Sequence, residues 1–443
     1  LSLERITIEM GVSAKRALRL AGDVQALLID SVLTDGQAPL GEDGGNVWMG
    51  GDATLALIRS TIELGEAQGS GGGIYCAGGG TVLVDGSSVL QENKSGNFGG
   101  GIFAQGCTLE IRGWIHLNVT SGDGGGIYAT GGSSVLLASQ GPGDLGAMRS
   151  NRAGLDGGGL YLQGIGTTAM ARNATIEVNH SEVTGGGVVV AGGATFIMDV
   201  DPATCSNGRK CSLLQSNSGG SAGAGAINVT TGSSATIRQT EISFNRASDG
   251  IGAVAIVFGT LVIEGCEIFS NDSSVFDDVS RFYVVGSATI AFSTIVEPTE
   301  FSDVFWTTSG ATFRLLSSIV QADQTFHSPA FATAIDCVIT REQASFPAGG
   351  TLLTTVTDPT FLFQSSVPFD YRLKRGSIAA DYCDTFSYTP GDDDIDNQPR
   401  GWDDPTVTGV IGPYDLGADE WRPDIFHDGF ESAGTTRWSS AAP

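Results

Sequence analysis

The chain repeats itself. The block GGGIY at 71–75 recurs as GGGIF at 99–103, GGGIY at 124–128, GGGLY at 157–161 and GGGVV at 185–189. Fainter copies are GGNVW at 44–48, AGAIN at 224–228 and GAVAI at 252–256. The apolar residue behind the glycines falls at Val47, Ile74, Ile102, Ile127, Leu160, Val188, Ile227 and Val254, giving spacings of 27, 28, 25, 33, 28, 39 and 27. A second column keeps step. Asn93, Asn118, Asn151, Asn179 and Asn245 each sit nine residues before that apolar position, and Asn217 sits ten before. Between the columns lie strand-like segments such as GTVLVDGSSVL and CTLEIRGWIHL, with no helical spacing of apolar residues. A unit this short cannot bury a face alone, so it must stack on its neighbours.

Short parallel strands with like residues above like define the expected fold. It is all-β, a right-handed single-stranded parallel β-helix with an irregular acidic C-terminal cap. The Asn column becomes an internal ladder, each amide bonding to the next coil, and the glycines supply φ > 0 at a corner. A propeller needs blades of about 40 residues or more, and a leucine-rich repeat needs leucine columns; neither pattern is present. The expected shaft covers residues 1–345 in about 12 coils, about 60 Å long at strand spacing. After residue 260 the glycine corner fades, while SATIAFSTIVEP, ATFRLLSSIVQA and AIDCVITRE keep the strand pattern. Residues 346–424 are read as the last coils and an acidic cap over the end of the shaft, and 425–443 as a tail.

Composition agrees with this fold and narrows the function. Glycine supplies 65 of 443 residues and charged residues only 16%, which suits many turns and strands. The net charge of −26 opposes nucleic acid and anionic membrane surfaces. No apolar run is long enough to span a membrane. The chain opens inside a strand-like segment, LSLERITIEM, without the pattern of a signal peptide, as expected of a mature or trimmed product.

The seven cysteines form no CxxC pair and the four histidines are scattered, so no zinc site is expected. Cys205 and Cys211 bracket the polar loop SNGRK and are the first disulfide candidate; Cys337 with Cys383 is a weaker one. With an odd total, at least one thiol stays unpaired or pairs between chains. An exported, oxidising location is expected.

Three groups of residues are candidates for a site. Trp48, Tyr75, Phe103, Tyr128 and Tyr161 follow the apolar column by one, so strand alternation turns them outward as a stripe suited to sugar rings or another subunit. The alternative is that they face the core or lie under a loop. Asp392, Asp394, Asp396 and Asp403 occupy positions 1, 3, 5 and 12 of a calcium-loop pattern, against which stand Asn397 and Pro399 at positions 6 and 8. A solvated acidic cap paired with Arg400 is the alternative; no other cofactor is expected. For catalysis, Glu63, Glu110, Glu177 and Glu241 are isolated, and only Asp277, Asp278, Asp303 and Arg281 approach a cluster. No catalytic residue is assigned. Asn93, Asn118, Asn173, Asn179, Asn228 and Asn271 match the glycosylation pattern, several only because the Asn column is followed by Ser or Thr.

The GGGIY/Asn repeat resembles bacterial right-handed parallel β-helix surface proteins of the polymorphic-outer-membrane-protein and autotransporter-passenger type. The closing segment, DYCDTFSYTPGDDDIDNQPRGWDD to GPYDLGADEW, resembles the end of choice-of-anchor β-helix proteins, with Asp396 and Arg400 before Tyr414 to Glu420. The tail DIFHDGFES resembles a terminal motif of some secreted Gram-negative proteins. No LPxTG-type signal or membrane β-barrel accompanies these motifs. The resemblance implies location and shape more than chemistry. The expectation is therefore a secreted or cell-surface structural or adhesive protein. Its expected partners are itself, head to tail through an open strand edge, or a surface polysaccharide. The alternatives are a polysaccharide lyase or glycosidase, and a non-catalytic sugar-binding module.

Overall fold

The computed structural model describes residues 1–10, 15–138, 146–205, 211–248, 251–273, 280–297, 303–327, 330–364, 370–384, 388, 390–403 and 412–421. They form a parallel β-solenoid. A complete turn runs through two strands of one sheet, a two-residue strand of a second and a three- or four-residue strand of a third. One turn reads Thr81–Val84, Val89–Gln91, Lys94–Ser95 and Ile102–Gln105. Among the described residues the three sheets hold 25, 8 and 11 strands, and every pairing between consecutive turns is parallel, as in Ile74↔Ile102 and Ile102↔Ile127. Eleven rungs at strand spacing make about 50 Å of shaft in the third sheet. No helix is long and apolar enough to cross a membrane among the described residues.

The apolar column points inward: Val47, Ile74, Ile102, Ile127, Leu160, Val188 and Ile227 are fully buried. They belong to one apolar core that continues from Leu20 to Val338. One expected register shifts. Ile227 pairs with Ala255, not Val254, because Gly252 (φ +87°) holds the left-handed corner three residues upstream, as Gly71 (φ +70°) does for Ile74. The second glycine of each block is needed for close approach. A Cβ on Gly72 would lie 2.5 Å from the Gly100 carbonyl oxygen of the next turn.

The closing segment packs on Ile339 and Val356 of the last turns and also runs along the flank, on the corner between the two strands of the first sheet. On five successive rungs that corner is Gln239, Gly265, Phe292, Ser317 and Cys337. Gln239 Nε2 donates to Asp394 O (2.6 Å), and Gly265 faces the Arg400 guanidinium. Arg400 lies 5.1 Å over the Phe292 ring, and Gly417 N donates to Ser317 O (3.1 Å). Cys337 is joined to Cys383 by a disulfide. The reason is in the corner column, where Phe292 is an apolar ring that Tyr388, Tyr414 and Arg400 of the segment cover. The 425–443 tail lies outside the described residues.

Three disulfides form: Cys205–Cys211, Cys337–Cys383 and Cys76–Cys107, the last joining two successive turns within the core. The seventh cysteine, Cys266, is buried and unpaired. Burial pushes its thiol up to about 12.

Candidate functional site

The asparagine column is a continuous buried ladder. Asn93 Nδ2 donates to Asn118 Oδ1, Asn118 to Asn151, Asn151 to Asn179, Asn179 to Asn217, Asn217 to Asn245 and Asn245 to Asn271, each at 3.0 Å. Each amide also donates to a carbonyl of the preceding turn, as Asn179 does to Met148 O (2.9 Å), and its oxygen accepts a backbone N–H as well. All four valences are thus used, which removes the cost of burying the amide. The ladder has two ends that its sequence spacing did not show. At the start, Gly65 occupies the ladder position, and Asn46 enters from the other side to donate to Asn93 Oδ1 (3.2 Å). At the far end, Asn271 donates to Glu297 Oε1 (3.0 Å), and the fully buried Arg281 lies 3.5 Å from Glu297 Oε2. Burial pushes the Glu297 carboxyl up to about 7, against the opposing charge of Arg281. The six glycosylation-pattern asparagines are all buried within the fold.

Trp48, Tyr75, Tyr128 and Tyr161 are half-buried and Phe103 is buried; each alternates with fully buried neighbours, and the five form a pile. Ring centroids are 6.3 Å apart for Trp48–Tyr75, 5.1 Å for Tyr75–Phe103, 5.6 Å for Phe103–Tyr128 and 5.0 Å for Tyr128–Tyr161, with planes within 12° of parallel. Adjacent rings therefore cover one another's faces. Arg19 sits 4.5 Å over the free side of Trp48, Phe98 packs against Tyr128, and the buried Val189 follows Tyr161. What the stripe presents is ring edges and tyrosine hydroxyls. Beside it, Asp156 N donates to Asp123 Oδ1 (3.0 Å) and Thr184 N to Asp156 Oδ1 (3.2 Å). Burial, then the Asp123 charge, pushes Asp156 up to about 6, and the Tyr161 hydroxyl is raised for the same two reasons.

Asp392, Asp394, Asp396 and Asp403 lie in the closing segment. Among the described residues, no group of three His, Cys, Asp or Glu side chains is placed to hold a metal. Asp394 is turned inward, where its oxygens accept N–H groups of Asp396 (2.9 Å), Gln398 (2.7 Å) and Glu420 (3.0 Å). The other acids of the closing motif do the same work. Glu420 Oε1 accepts Gly401 N (2.8 Å) and Trp402 N (2.7 Å), Asp415 accepts Asp381 N and Trp421 N (2.6 Å each), and Asp419 accepts Leu373 N (2.6 Å). Arg400 Nη2 donates to Ala418 O (2.8 Å). Asp396, Arg400 and the 414–420 stretch thus meet as one strap. Burial raises Asp394 to about 6, Glu420 to about 7 and Asp415 to about 8, and raises Asp419 too.

Of the residues nearest a catalytic cluster, Asp277 and Asp278 lie outside the described residues. Arg281 is committed to the ladder end, and Asp303 Oδ2 bonds His327 Nδ1 at 2.6 Å. The outward aromatic column resumes here with Tyr283 and Trp306, which the fading glycine repeat concealed.

No protein-family model matches the chain, and a comparison with curated proteins finds no match. Among solved structures, the chain is similar to the crystal structure of the TibC-catalyzed hyper-glycosylated TibA55-350 fragment. The two are 13% identical with a TM-score of 0.20, over 80% of this chain and 97% of that one.

Proposed function

We propose that this chain is an exported structural or adhesive rod of a cell surface. The observation that carries this reading is the uninterrupted shaft itself. Its core, amide ladder and aromatic pile run through successive rungs, and Cys76–Cys107 locks two of them together. Such a body holds a surface at a fixed distance, and its disulfides suit an oxidising compartment. Two measurements on the protein from its native source test this. Titration with a thiol reagent in denaturant, without reductant, yields one thiol of seven cysteines, that of Cys266; seven titratable thiols refute export. Protease shaving of intact cells releases the shaft; a chain that is protected until lysis refutes surface display.

The same rod is proposed to stack end to end, since successive turns pair in parallel with like residues in register, as in Ile74↔Ile102 and Ile102↔Ile127, a geometry that a second copy of the chain can continue. Negative-stain electron microscopy over a wide concentration range shows filaments if this holds, and single short rods if it does not.

A further inference from the structure

We propose a carbohydrate-binding platform on the outer face of the later turns, built on Phe258, Tyr283 and Trp306 with the Asp303–His327 pair, and selective for neutral polysaccharide. It rests on the surface reading above, for which it supplies a ligand class. Tyr283 and Trp306 pair in register, Tyr283↔Trp306, on the continuation of the outward column, with Phe258 at the strand end one turn earlier. Their geometry differs from that of the first aromatic pile. Phe258–Tyr283 meet at 72° with centroids 6.4 Å apart, and Tyr283–Trp306 at 88° and 5.4 Å. Neither neighbour lies parallel to Tyr283, so neither is stacked flat on its ring, whereas each inner ring of the Trp48–Tyr161 pile lies between two parallel rings. A pyranose ring binds by laying its C–H face on an aromatic face. The first pile is stacked face to face throughout; in the second group Trp306 gives one face to His327, and Tyr283 is stacked flat on neither neighbour. Phe258 is 43% exposed, a large apolar ring at the edge of the platform.

Polar groups for hydroxyls stand at the other edge. Trp306 stacks on His327 at 4.3 Å, and His327 Nδ1 is held by Asp303. That bond orients the imidazole and leaves Nε2 on the opposite side of the ring, as a hydrogen-bonding group for a sugar hydroxyl. An apolar floor with a few fixed polar groups is the composition of a small-ligand site. The net charge of −26 and the carboxylate of Asp303 disfavour anionic polymers.

The test is affinity electrophoresis of the full chain in gels containing a soluble mixed-linkage β-glucan, a galactomannan, or polygalacturonate as anionic comparison. The expected result is retardation by at least one neutral polymer and none by polygalacturonate. Tyr283→Ala weakens that retardation about tenfold or more, while the pair Tyr128→Ala with Tyr161→Ala leaves it unchanged. A circular-dichroism spectrum and urea midpoint close to the parent's confirm that Tyr283→Ala is folded; if it is not, Tyr283→Leu, which keeps apolar bulk but no ring face, takes its place. The proposal is overturned by no retardation in either neutral polymer, by retardation in polygalacturonate alone, or by retardation that the position 283 variant leaves intact. Protease shaving of cells does not depend on any of these outcomes, so failure here leaves the surface reading standing.

Discussion

Replacing Asn179 by alanine tests whether the amide ladder is a main source of rigidity. The side chain is fully buried in the middle of the column. Its Nδ2 donates to Met148 O (2.9 Å) and Asn217 Oδ1 (3.0 Å), and its Oδ1 accepts from Asn151 N and Asn151 Nδ2 (3.0 Å each). Alanine deletes four bonds and leaves the Asn151 backbone N–H without its acceptor in a dry interior. At about 1 kcal/mol net for each bond, with about 1–3 kcal/mol for a stranded donor, the loss is about 5–7 kcal/mol. That is a large share of the stability of an ordinary domain. Because a solenoid is held by nearest-neighbour terms, the lesion is local. Urea unfolding followed by far-UV circular dichroism shows the midpoint fall, and hydrogen exchange rises first in turns 148–217. Asn179→Asp keeps both acceptors but loses the two donors and buries a charge, so it is at least as damaging. A midpoint shift worth less than about 1 kcal/mol for both variants refutes the argument, because water would then be replacing the amide at little cost.

Four further outcomes follow from the same geometry. Tyr128→Ala removes a ring stacked on both sides, and at about 0.5–1.5 kcal/mol for each stacked pair beyond area burial it costs about 2–4 kcal/mol, read from the urea midpoint. Cys337→Ser with Cys383→Ser opens a loop of 46 residues separation and lowers stability by about 4 kcal/mol in the chain-entropy account, with faster hydrogen exchange over 379–421 than over the shaft. The strap also loosens with rising pH. The carboxyls of Asp394, Asp415 and Glu420 are raised in the folded chain, so their contribution is full below about pH 4, the unfolded value, and is lost as pH rises through about 6 to 8. Limited proteolysis of 379–421 is correspondingly faster at pH 8.5 than at pH 5, while cleavage of the shaft is not. Gly417→Ala, at φ +97° with a Cβ only 2.5 Å from Thr294 Oγ1, detaches the end of the strap, seen as new protease sites there.

The shaft was legible because it is periodic, and its errors come from where the period was counted. The Asn column was measured back from the Gly-rich corner, across a turn of variable length. Measured forward from the inward aliphatic residue of the preceding strand, the ladder position is always three on: Leu90 to Asn93, Ile176 to Asn179, Ile242 to Asn245. That count reaches Asn271 from Ile268, and it marks Gly65, three beyond Ile62, as the gap that Asn46 fills. Glu297, two beyond Ile295, breaks even this rule, and its role depends on Arg281 at the far side of the core. The outward aromatics were readable from alternation, but ring orientation was not, and orientation separates a pile of covered faces from an open platform. Of the disulfides, Cys205–Cys211 was readable from a short span. Cys76–Cys107 requires knowing that both thiols turn inward on adjacent rungs.

The path of the closing segment was the least legible part of the sequence, and its cause sits in the shaft rather than in the segment. On early turns the corner residue is charged and exposed, as Arg59 is, paired with Asp30 of the preceding turn (2.6 Å). On later turns the same corner carries Gln239, Gly265, Phe292, Ser317 and Cys337. Left bare, that row would put a phenylalanine and a cysteine into water in the left-handed conformation (φ 45° and 55°). The strap removes both from solvent and gives the polar members partners. Arg400 bridges the two systems, donating to Ala418 O within the strap while its guanidinium lies on Phe292 of the shaft. Arg400→Lys keeps the charge but loses the planar group that stacks and donates together. It therefore weakens strap attachment, by about 1–3 kcal/mol for a charged hydrogen bond and the stacking contact. Equal protease protection of 379–421 in that variant and the parent would show that the strap is held by its carboxylates and disulfide alone.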